Sequence, residues 1–401
     1  MPDHAKPAGL NAVSLAQAMI RCPSVTPDDA GVLGVLDKAL QEAGFATRRL
    51  DFSEPGTPDI ANLYASIGSG SPHFCFAGHV DVVPVGDLRA WTVDPFAADI
   101  VDGTLYGRGA ADMKAAIAAF VAAAAQFRAQ YNRKGTISLL ITGDEEGPAI
   151  NGTKKMLQAL SAEGVQFDAC IVGEPTNKAR FGDMMKVGRR GSMTGHITVQ
   201  GVQGHIAYPH LADNPVHRLA RMMAALIEQP LDAGNEYFEA SSLQFYTADV
   251  GNPTNNLIPA QAKASFNIRF NNLHTSKTLE RHVRSKLDAV GGNYTLDVSV
   301  SGEAFFTEPG PLSALVAGAV NEVTGRMPEL STTGGTSDAR FIRDYCPVVE
   351  FGLVGQTMHK VDERAALADI AALQEVYRLV LERFFAAGDG DADRARQERL
   401  P

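Results

Sequence analysis

The sequence predicts an α/β protein that carries a second, α+β domain as an insertion. The 401 residues exceed what a single hydrophobic core usually covers, so two domains are expected. Strands alternate with helices up to about Phe181, which is the layout of an α/β domain. From Gly191 to about Gly302 the order of elements is instead βαββαβ, the split ferredoxin-like motif. We therefore predict a discontinuous main domain, 1–188 with 303–401, around an inserted domain, 189–302.

Composition and charge exclude several classes of protein. A content of 45% hydrophobic and 20% charged residues is ordinary for a soluble protein. The formal net charge of −10 argues against general binding of nucleic acid or of an anionic membrane. Neither a membrane span nor a secretion signal is expected, because no long apolar run occurs. The four cysteines are scattered without a C-x-x-C, which is typical of reduced core residues and indicates the cytoplasm.

Local patterns predict the remaining elements in chain order. Thr26 is expected to cap a helix with Pro27 at its first position, and Gly44 ends it. Asp112 is expected to cap the strongest helix, Met113–Gln130. The other predicted strands are 46–51, 60–67, 73–77, 136–142, 169–172, 195–200, 242–250, 262–270, 294–300 and 347–351, and the other helices are 14–21, 214–229, 275–290, 312–324 and 362–386. The charged, Gly/Asp-rich segment from Gly388 is predicted to be disordered.

Four of the apolar strands lead into a histidine or a carboxylate near their carboxyl ends. These residues are His79 after 73–77, Glu145 and Glu146 after 136–142, Glu174 after 169–172, and His359 after 347–351. Open α/β sheets place their chemistry at this edge. Any one of these side chains alone is as well explained by a solvated loop. The repetition predicts a shared site.

The residue types indicate a metal. Histidine and carboxylate donors suit Zn²⁺ or a similar divalent ion, and no cysteine lies in these motifs. More acids are present than one tetrahedral ion needs, which suggests two ions that polarise a carbonyl and activate a shared water. Asp81, two residues after His79, is expected to accept the second imidazole N–H and fix its tautomer. Adjacent Glu145 and Glu146 are expected to divide the roles of general base and ligand.

Five motifs carry a resemblance to a known family. They are HVDVVP, LYGRGAADMK, TGDEEG, VGEPT and MHKVDE, and in this order they resemble the co-catalytic zinc aminoacylase and carboxypeptidase family from about Leu15 to about Phe385. The resemblance implies a zinc-aminopeptidase-like catalytic domain, with a mixed sheet between helices, and an inserted ferredoxin-like lid and dimerisation domain. It also implies hydrolysis of an amide in an acylated amino acid or a dipeptide.

The same resemblance implies a role for each site residue. One metal ion is held by His79 and Glu174, and a second by Glu146 and His359. Asp112 bridges the two ions, which are zinc or cobalt, and Glu145 is the general base. A metal-binding protein without catalysis is the alternative, but a purely structural site has no use for an extra base beside a full ligand set.

Arginines near the domain junction indicate an anionic small-molecule substrate. Arg190 lies in the motif GRRGS, and Arg269 ends a strand of the inserted domain. Guanidinium groups bind carboxylates through two parallel hydrogen bonds. The resemblance implies that lid arginines contact substrate carboxylates. An interdomain or surface salt bridge remains the alternative for each arginine.

Two further loops are candidates for substrate binding. Gly335 and Thr336 lie in TTGGTSD, which is either a loop of backbone donors near the substrate or an ordinary tight turn. Asn255 and Asn256 lie in PTNNLIP and either contact the substrate or form an Asn-rich turn. Several family members carry Asn four residues before the last metal histidine, where this chain has Gly355. A contact made by that Asn is therefore not expected here.

His205 is predicted to complete the active site of the other subunit in a homodimer. It follows a strand of the inserted domain within GVQGHIAYPH. Its imidazole N–H could stabilise the oxyanion that forms during amide hydrolysis. A ferredoxin-like domain exposes edge strands that can pair across a two-fold axis. A solvent-facing loop histidine is the alternative.

Overall fold

A computed structural model describes residues 10–131 and 133–397, with the backbone alone for 387–397. The chain divides into two compact units, which are described separately. Unit 1 comprises the residues up to Val187, Thr307–Ser331 and the chain from Ser337, and unit 2 comprises Gly188–Phe306 with Thr332–Thr336. No helix in the described ranges has the length and apolar character needed to cross a membrane.

The helices and strands are numbered in chain order. The α-helices among the described residues are α1 (Ala12–Ile20), α2 (Val32–Glu42), α3 (Lys114–Gln130), α4 (Thr153–Ala162), α5 (Pro215–Ile227), α6 (Ser276–Val290), α7 (Pro311–Thr324), α8 (Ala339–Ile342) and α9 (Leu367–Gln397). The strands are β1 (Ala46–Arg49), β2 (Leu63–Ser69), β3 (His73–His79), β4 (Ile100–Val101), β5 (Thr104–Tyr106), β6 (Gly135–Thr142), β7 (Ala169–Val172), β8 (Met184–Lys186), β9 (Gly188–Arg189), β10 (Gly191–Gln200), β11 (Gly204–His205), β12 (Ser242–Asp249), β13 (Leu257–Ile258), β14 (Gln261–Phe270), β15 (Tyr294–Gly302), β16 (Phe305–Phe306), β17 (Glu329–Ser331), β18 (Val348–Glu350) and β19 (Arg364–Ala366).

Unit 1 contains an eight-stranded mixed sheet in the order β1-β2-β6-β3-β7-β18-β8-β17. The central strands β6, β3, β7 and β18 run parallel to one another. The neighbouring pairs β1–β2, β2–β6 and β18–β8 are antiparallel. Every residue of β3 and β6 is buried, as expected for strands covered on both faces. The prediction of an α/β fold with a mixed sheet between helices is confirmed.

The helix α3 is part of the core of unit 1. All of Lys114–Ala124 is buried, and α3 packs against α1 and α9. The Phe120 ring stacks on Phe76 of β3 at 4.3 Å and meets Tyr377 of α9 edge to face at 5.6 Å. The small alanine side chains let the neighbouring elements approach closely, so this apolar segment is a core helix.

The sheet topology brings the predicted site residues together. The strands β6, β3, β7 and β18 are adjacent and parallel, so their carboxyl ends lie at one edge of the sheet. These are the four strands that lead into a histidine or a carboxylate. The convergence expected from the sequence is therefore present.

Unit 2 is an α+β unit with its own core. Its elements follow the predicted βαββαβ order as β10, α5, β12, β14, α6 and β15, and the antiparallel sheet has the order β12-β14-β10-β15. The inner side chains of this sheet pack on α5 and α6 around Phe266, Leu219 and Val283. Its ends differ from the predicted 189–302, because β16 pairs with β9 and because the Arg189 side chain binds the carbonyl of Gly335.

The predictions for Thr26 and for the segment from Gly388 are wrong. Thr26 does not cap a helix; α2 begins at Val32, because the Thr26 hydroxyl donates to Asp81 at 2.7 Å and the Asp29 carboxylate forms a turn with the Gly31 and Leu33 amides. The segment from Gly388 was predicted to be disordered, but α9 continues to Gln397 through residues that include several good helix formers. Residues 398–401 lie outside the described ranges.

Candidate metal centre

His79 ends β3 and is buried. Its Nδ1–H donates to the main-chain carbonyl of Asp81 at 3.0 Å. Because a carbonyl oxygen only accepts, the proton resides on Nδ1, and Nε2 remains as the atom that can bind a cation. We expected the Asp81 carboxylate to fix this tautomer. Its Oδ1 lies 3.6 Å from Nδ1, beyond hydrogen-bond distance, so the main chain of Asp81 has that role instead.

The Asp81 carboxylate orients the two adjacent glutamates. It accepts hydrogen bonds from the backbone N–H groups of Glu146 at 3.0 Å and Glu145 at 3.3 Å, and from the Thr26 hydroxyl. Burial raises the pKa of Asp81 to about 6. These bonds fix the turn after β6, and with it the positions from which the Glu145 and Glu146 side chains extend.

Asp112 lies between two histidines. Its Oδ1 is 3.1 Å from His79 Nε2, and its Oδ2 is 3.2 Å from His359 Nε2. The prediction that Asp112 caps α3 is wrong, because the cap position is Met113 and no side chain caps this helix. Each Asp112 oxygen thus lies beside a different histidine, as a carboxylate that bridges two metal ions requires.

The other acids complete two overlapping groups of donors. Glu146 Oε1 is 2.8 Å from His359 Nε2, and Glu174 Oε1 is 3.7 Å from His79 Nε2. Three sets of side chains have potential donor atoms within 4.8 Å of one another: His79 with Asp112 and Glu174, Asp112 with Glu146 and His359, and His79 with Glu145 and Glu146. Asp112 belongs to the first two sets, so it joins them.

The donor set fits two divalent cations. Zinc bonds of about 2.0–2.2 Å place tetrahedral donors about 3.3 Å apart, and the separations between neighbouring donors here are 2.8 to 3.7 Å. Asp112, Glu145, Glu146 and Glu174 carry a charge of about −4 when ionised, which two divalent ions would neutralise. The chain therefore contains a candidate metal site of the composition that the sequence indicated.

The pKa shifts have the pattern expected of a site for positive charge. Hydrogen bonds to Asp112 and Glu146 raise the pKa of His359 to about 10. Burial opposes ionisation of Asp112, but the neighbouring imidazoles of His359 and His79 hold its pKa below the ordinary value. Burial, and then the charge of Glu174, raise the pKa of Glu145 well above its ordinary range. Bound cations would favour the ionised form of these carboxyl groups.

Two backbone features lie beside the candidate ligands. The Met113 side chain packs against Gly78 and Gly173, and a Cβ at either glycine would lie 2.6 Å from its Cε. The glycines before His79 and Glu174 thus leave space for the end of the Met113 side chain. His359 has a φ of +63°, an unfavourable backbone conformation of the kind that clusters at functional sites.

In unit 2, Arg190 and Arg269 lie close enough to influence each other. Burial, and then the charge of Arg190, lower the pKa of Arg269. Arg190 Nη1 also lies 3.5 Å from the exposed Glu239 carboxylate, so the salt bridge that we considered as an alternative is present for this arginine. Two neighbouring guanidinium groups favour a bound anion because it would relieve their repulsion.

The remaining predicted residues of unit 2 lie in two loops. His205 pairs with Leu257 in the β11–β13 ribbon, and the Ile206 amide donates to the carbonyl of Asn256, so His205 and the Asn255–Asn256 loop are neighbours. The His205 Nδ1 accepts from the Ala207 amide at 3.1 Å, which places the proton of the neutral ring on Nε2.

A second loop contains Gly335 and Thr336. Arg189 Nη1 donates to the Gly335 carbonyl at 3.0 Å. Arg189 precedes Arg190 in the GRRGS motif, whose arginines the sequence indicates as possible anchors for an anionic substrate. Two buried charged residues beside the Asp112 loop were not predicted from the sequence, although both lie in motifs of the metal centre; they are Arg108 and Glu363.

Comparison with known proteins decides the family. The sequence matches Peptidase family M20/M25/M40 over residues 75–383. The chain belongs to this family. This M20 chain is 60% identical over 378 residues to a succinyl-diaminopimelate desuccinylase of Parvibaculum lavamentivorans, covering 93% of this chain and 95% of that protein. It is 58% identical to the protein of the same name in Rhodospirillum centenum, covering 94% and 98%.

Solved structures of other M20 proteins share the fold. The M20 family metallo-carboxypeptidase Sso-CP2 of Sulfolobus solfataricus superimposes with a TM-score of 0.77 at 15% identity, covering 94% of this chain and 99% of that one. The Bacillus subtilis YXEP protein, described as a dinuclear metal-binding peptidase of the M20 family, gives a TM-score of 0.66 at 15% identity, covering 93% and 97%. At these identities the likeness concerns the fold of this M20 chain.

Proposed function

We propose that this protein hydrolyses the amide of N-succinyl-LL-2,6-diaminopimelate to succinate and LL-diaminopimelate, a step in diaminopimelate and lysine biosynthesis. The observation that carries the proposal is a donor set for two cations with a further, half-buried carboxyl, Glu145, beside it. The substrate is taken from relatives up to 60% identical that carry the desuccinylase name. The paired guanidinium groups of Arg190 and Arg269 suit a substrate with several carboxylates.

In this proposal each residue of the centre has a separate task. His79 and Glu174 would hold one ion, Glu146 and His359 would hold the second, and Asp112 would bridge them. Bound zinc or cobalt would polarise the amide carbonyl and acidify a water molecule. Glu145 accepts a proton from the attacking water on its carboxylate and delivers it to the leaving nitrogen. Asp81 keeps Glu145 in place through the backbone hydrogen bond described above.

Substrate comparison tests the proposed function. We expect metal-loaded protein to hydrolyse N-succinyl-diaminopimelate with a kcat/KM at least about 10²-fold above those for acetylornithine and simple dipeptides, because a site built for a charged group rejects a substrate that lacks it. Initial rates for the three substrates measure the ratio. Treatment with a chelator should abolish hydrolysis, and added Zn²⁺ or Co²⁺ should restore it. The alternative within the family is a related deacylase or dipeptidase, such as acetylornithine deacetylase, and comparable turnover of acetylornithine would favour it.

We further propose that the protein is a cytoplasmic homodimer in which His205 acts in the active site of the partner subunit. The neutral His205 ring carries its proton on Nε2, where it can donate to a developing oxyanion. The strands β12 and β15 form the edges of the unit 2 sheet, and such edges can pair across a two-fold axis. All four cysteines lie in the described ranges as free thiols, which supports a reducing compartment.

Mixing two inactive variants tests the action of His205 in the partner subunit. His205→Ala and Glu145→Ala are each expected to be inactive as homodimers. After subunit exchange, a mixed dimer has one site with both residues intact, so an equal mixture should recover roughly a quarter of the wild-type rate. Mass spectrometry of differently tagged subunits verifies the exchange. A fully exchanged mixture that stays inactive rules out this role for His205.

A further inference from the structure

Glu363 connects the two loops that carry Asp112 and His359. It lies four residues after His359, within unit 1, and none of its surface is exposed to solvent. The following strand, β19, pairs antiparallel with β5, which precedes the Asp112 loop. The strand before the Asp112 loop and the strand after the His359 loop therefore run alongside each other. Glu363 lies next to the end of this pairing.

One carboxylate oxygen of Glu363 binds the main chain of the Asp112 loop at three points. Its Oε1 accepts hydrogen bonds from the backbone N–H groups of Gly109 at 3.1 Å, Ala111 at 3.0 Å and Asp112 at 3.0 Å. The Glu363 carbonyl accepts a fourth bond, from the Gly107 amide, at 2.9 Å. The last of the three carboxylate bonds is to the residue whose side chain lies between the two histidines.

The other carboxylate oxygen is paired with a buried arginine. Glu363 Oε2 accepts from Arg108 Nη1 at 2.7 Å, and the Arg108 side chain is 2% exposed. The same Nη1 donates to the carbonyl of Lys360, the residue after His359, and Nη2 donates to the carbonyl of Pro84. The charge of Glu363 is thus balanced by a residue of the Asp112 loop that also binds the His359 loop.

We propose that Glu363 is a positioning residue of the metal centre, which holds Asp112 and His359 at the separation at which both bind the same ion. This inference rests on the metal centre proposed above. Glu363 belongs to none of the side-chain groups that could bind a metal ion, and it acts through the main chain of the Asp112 loop. Residues that orient metal ligands in this way tune affinity for the ion.

The contacts separate this role from that of a general structural brace. The β19–β5 pairing already joins the two segments through main-chain hydrogen bonds, so the fold does not need Glu363 for that connection. The three additional bonds converge on 109–112, where no strand pairing exists to fix the main chain. Removing Glu363 leaves the buried Arg108 guanidinium without its carboxylate and so lowers stability. Because it also frees the main chain at 109–112, it should in addition lower the affinity for the metal.

Zinc affinity of the full-length protein tests this inference. Metal-free wild type, Glu363→Ala and Glu363→Gln are titrated with Zn²⁺ against a chromogenic chelator, and thermal unfolding is followed in parallel. We expect Glu363→Ala to weaken at least one of the zinc affinities by about 10–100-fold. Glu363→Gln should show a smaller loss in the same direction, because its single carbonyl oxygen can serve the loop amides or Arg108 but not both.

The matched control is Leu373→Ala, which removes buried apolar atoms from α9, at a position outside the Asp112 and His359 loops. It should lower the unfolding temperature and leave both zinc affinities unchanged. Unchanged zinc affinities in folded Glu363→Ala would overturn the inference. If that variant does not fold, unchanged affinities in Glu363→Gln would do the same. A wild-type protein that binds no zinc would overturn the metal centre itself, which is a distinguishable result.

Discussion

Replacing Glu145 by glutamine is expected to lower kcat by about 10²–10⁴-fold while both metal ions stay bound. Glutamine keeps the volume and the carbonyl oxygen of the side chain, but it cannot accept a proton from the attacking water. Glu145 is the acid that remains once His79 and Asp112 are matched with Glu174, and His359 with Glu146. Steady-state rates and the metal content of the purified variant measure the two halves of this prediction.

Glu146→Gln is the matched control for Glu145→Gln, because the two residues are adjacent and differ in their neighbours. Glu146 Oε1 lies 2.8 Å from His359 Nε2, as expected for two ligands of one ion. We expect this variant to lose metal as well as activity. If Glu145→Gln loses metal and Glu146→Gln retains it, the two roles are reversed.

Asp112→Asn is expected to reduce both metal content and activity, the latter by about 10²-fold or more, as when one group that stabilises developing charge is removed. An amide presents only one oxygen, so it cannot offer an acceptor both to the ion beside His79 and to the ion beside His359. Atomic absorption of the purified protein gives the metal stoichiometry. Asp87→Asn, at an exposed acid outside the centre, is the control and should behave as wild type.

A variant Asp112→Asn that retained both ions at wild-type affinity would contradict the bridging role. The distances to the two histidines would then reflect hydrogen bonds alone. A partial result is also informative, because loss of one ion with retention of the other identifies which side of the bridge is weaker.

The sequence predicted much of the fold because the decisive elements are long and strongly patterned. The strands β3, β6 and β7 are rich in apolar residues and buried along their whole length. A glycine at or just after the end of each strand lies one or two residues before His79, Glu145 or Glu174. By contrast, β8 and β17 each span only three residues, which is too short for a periodic pattern. Their positions in the sheet depend on pairing with strands far away in the chain.

The site could be predicted as a set of residues but not as a set of contacts. Asp112 precedes a strong helix and so resembles a cap, yet two histidines distant in sequence lie beside its oxygens. Asp81 is spaced to bind His79, but its carboxylate turns toward the amides of Glu145 and Glu146. Local spacing cannot reveal which distant partner competes for a polar side chain.

The order of the proposed metal ligands along the chain has a consequence for biosynthesis of the protein. His79, Asp112, Glu146 and Glu174 all precede unit 2, whereas His359 follows it. A nascent chain on the ribosome therefore displays four of the five proposed ligands before unit 2 has been translated, and the fifth emerges only after unit 2. A cation captured early is held by an incomplete set of donors. Full affinity, and the stabilisation that binding adds to the folded state, arrive only once translation has passed His359.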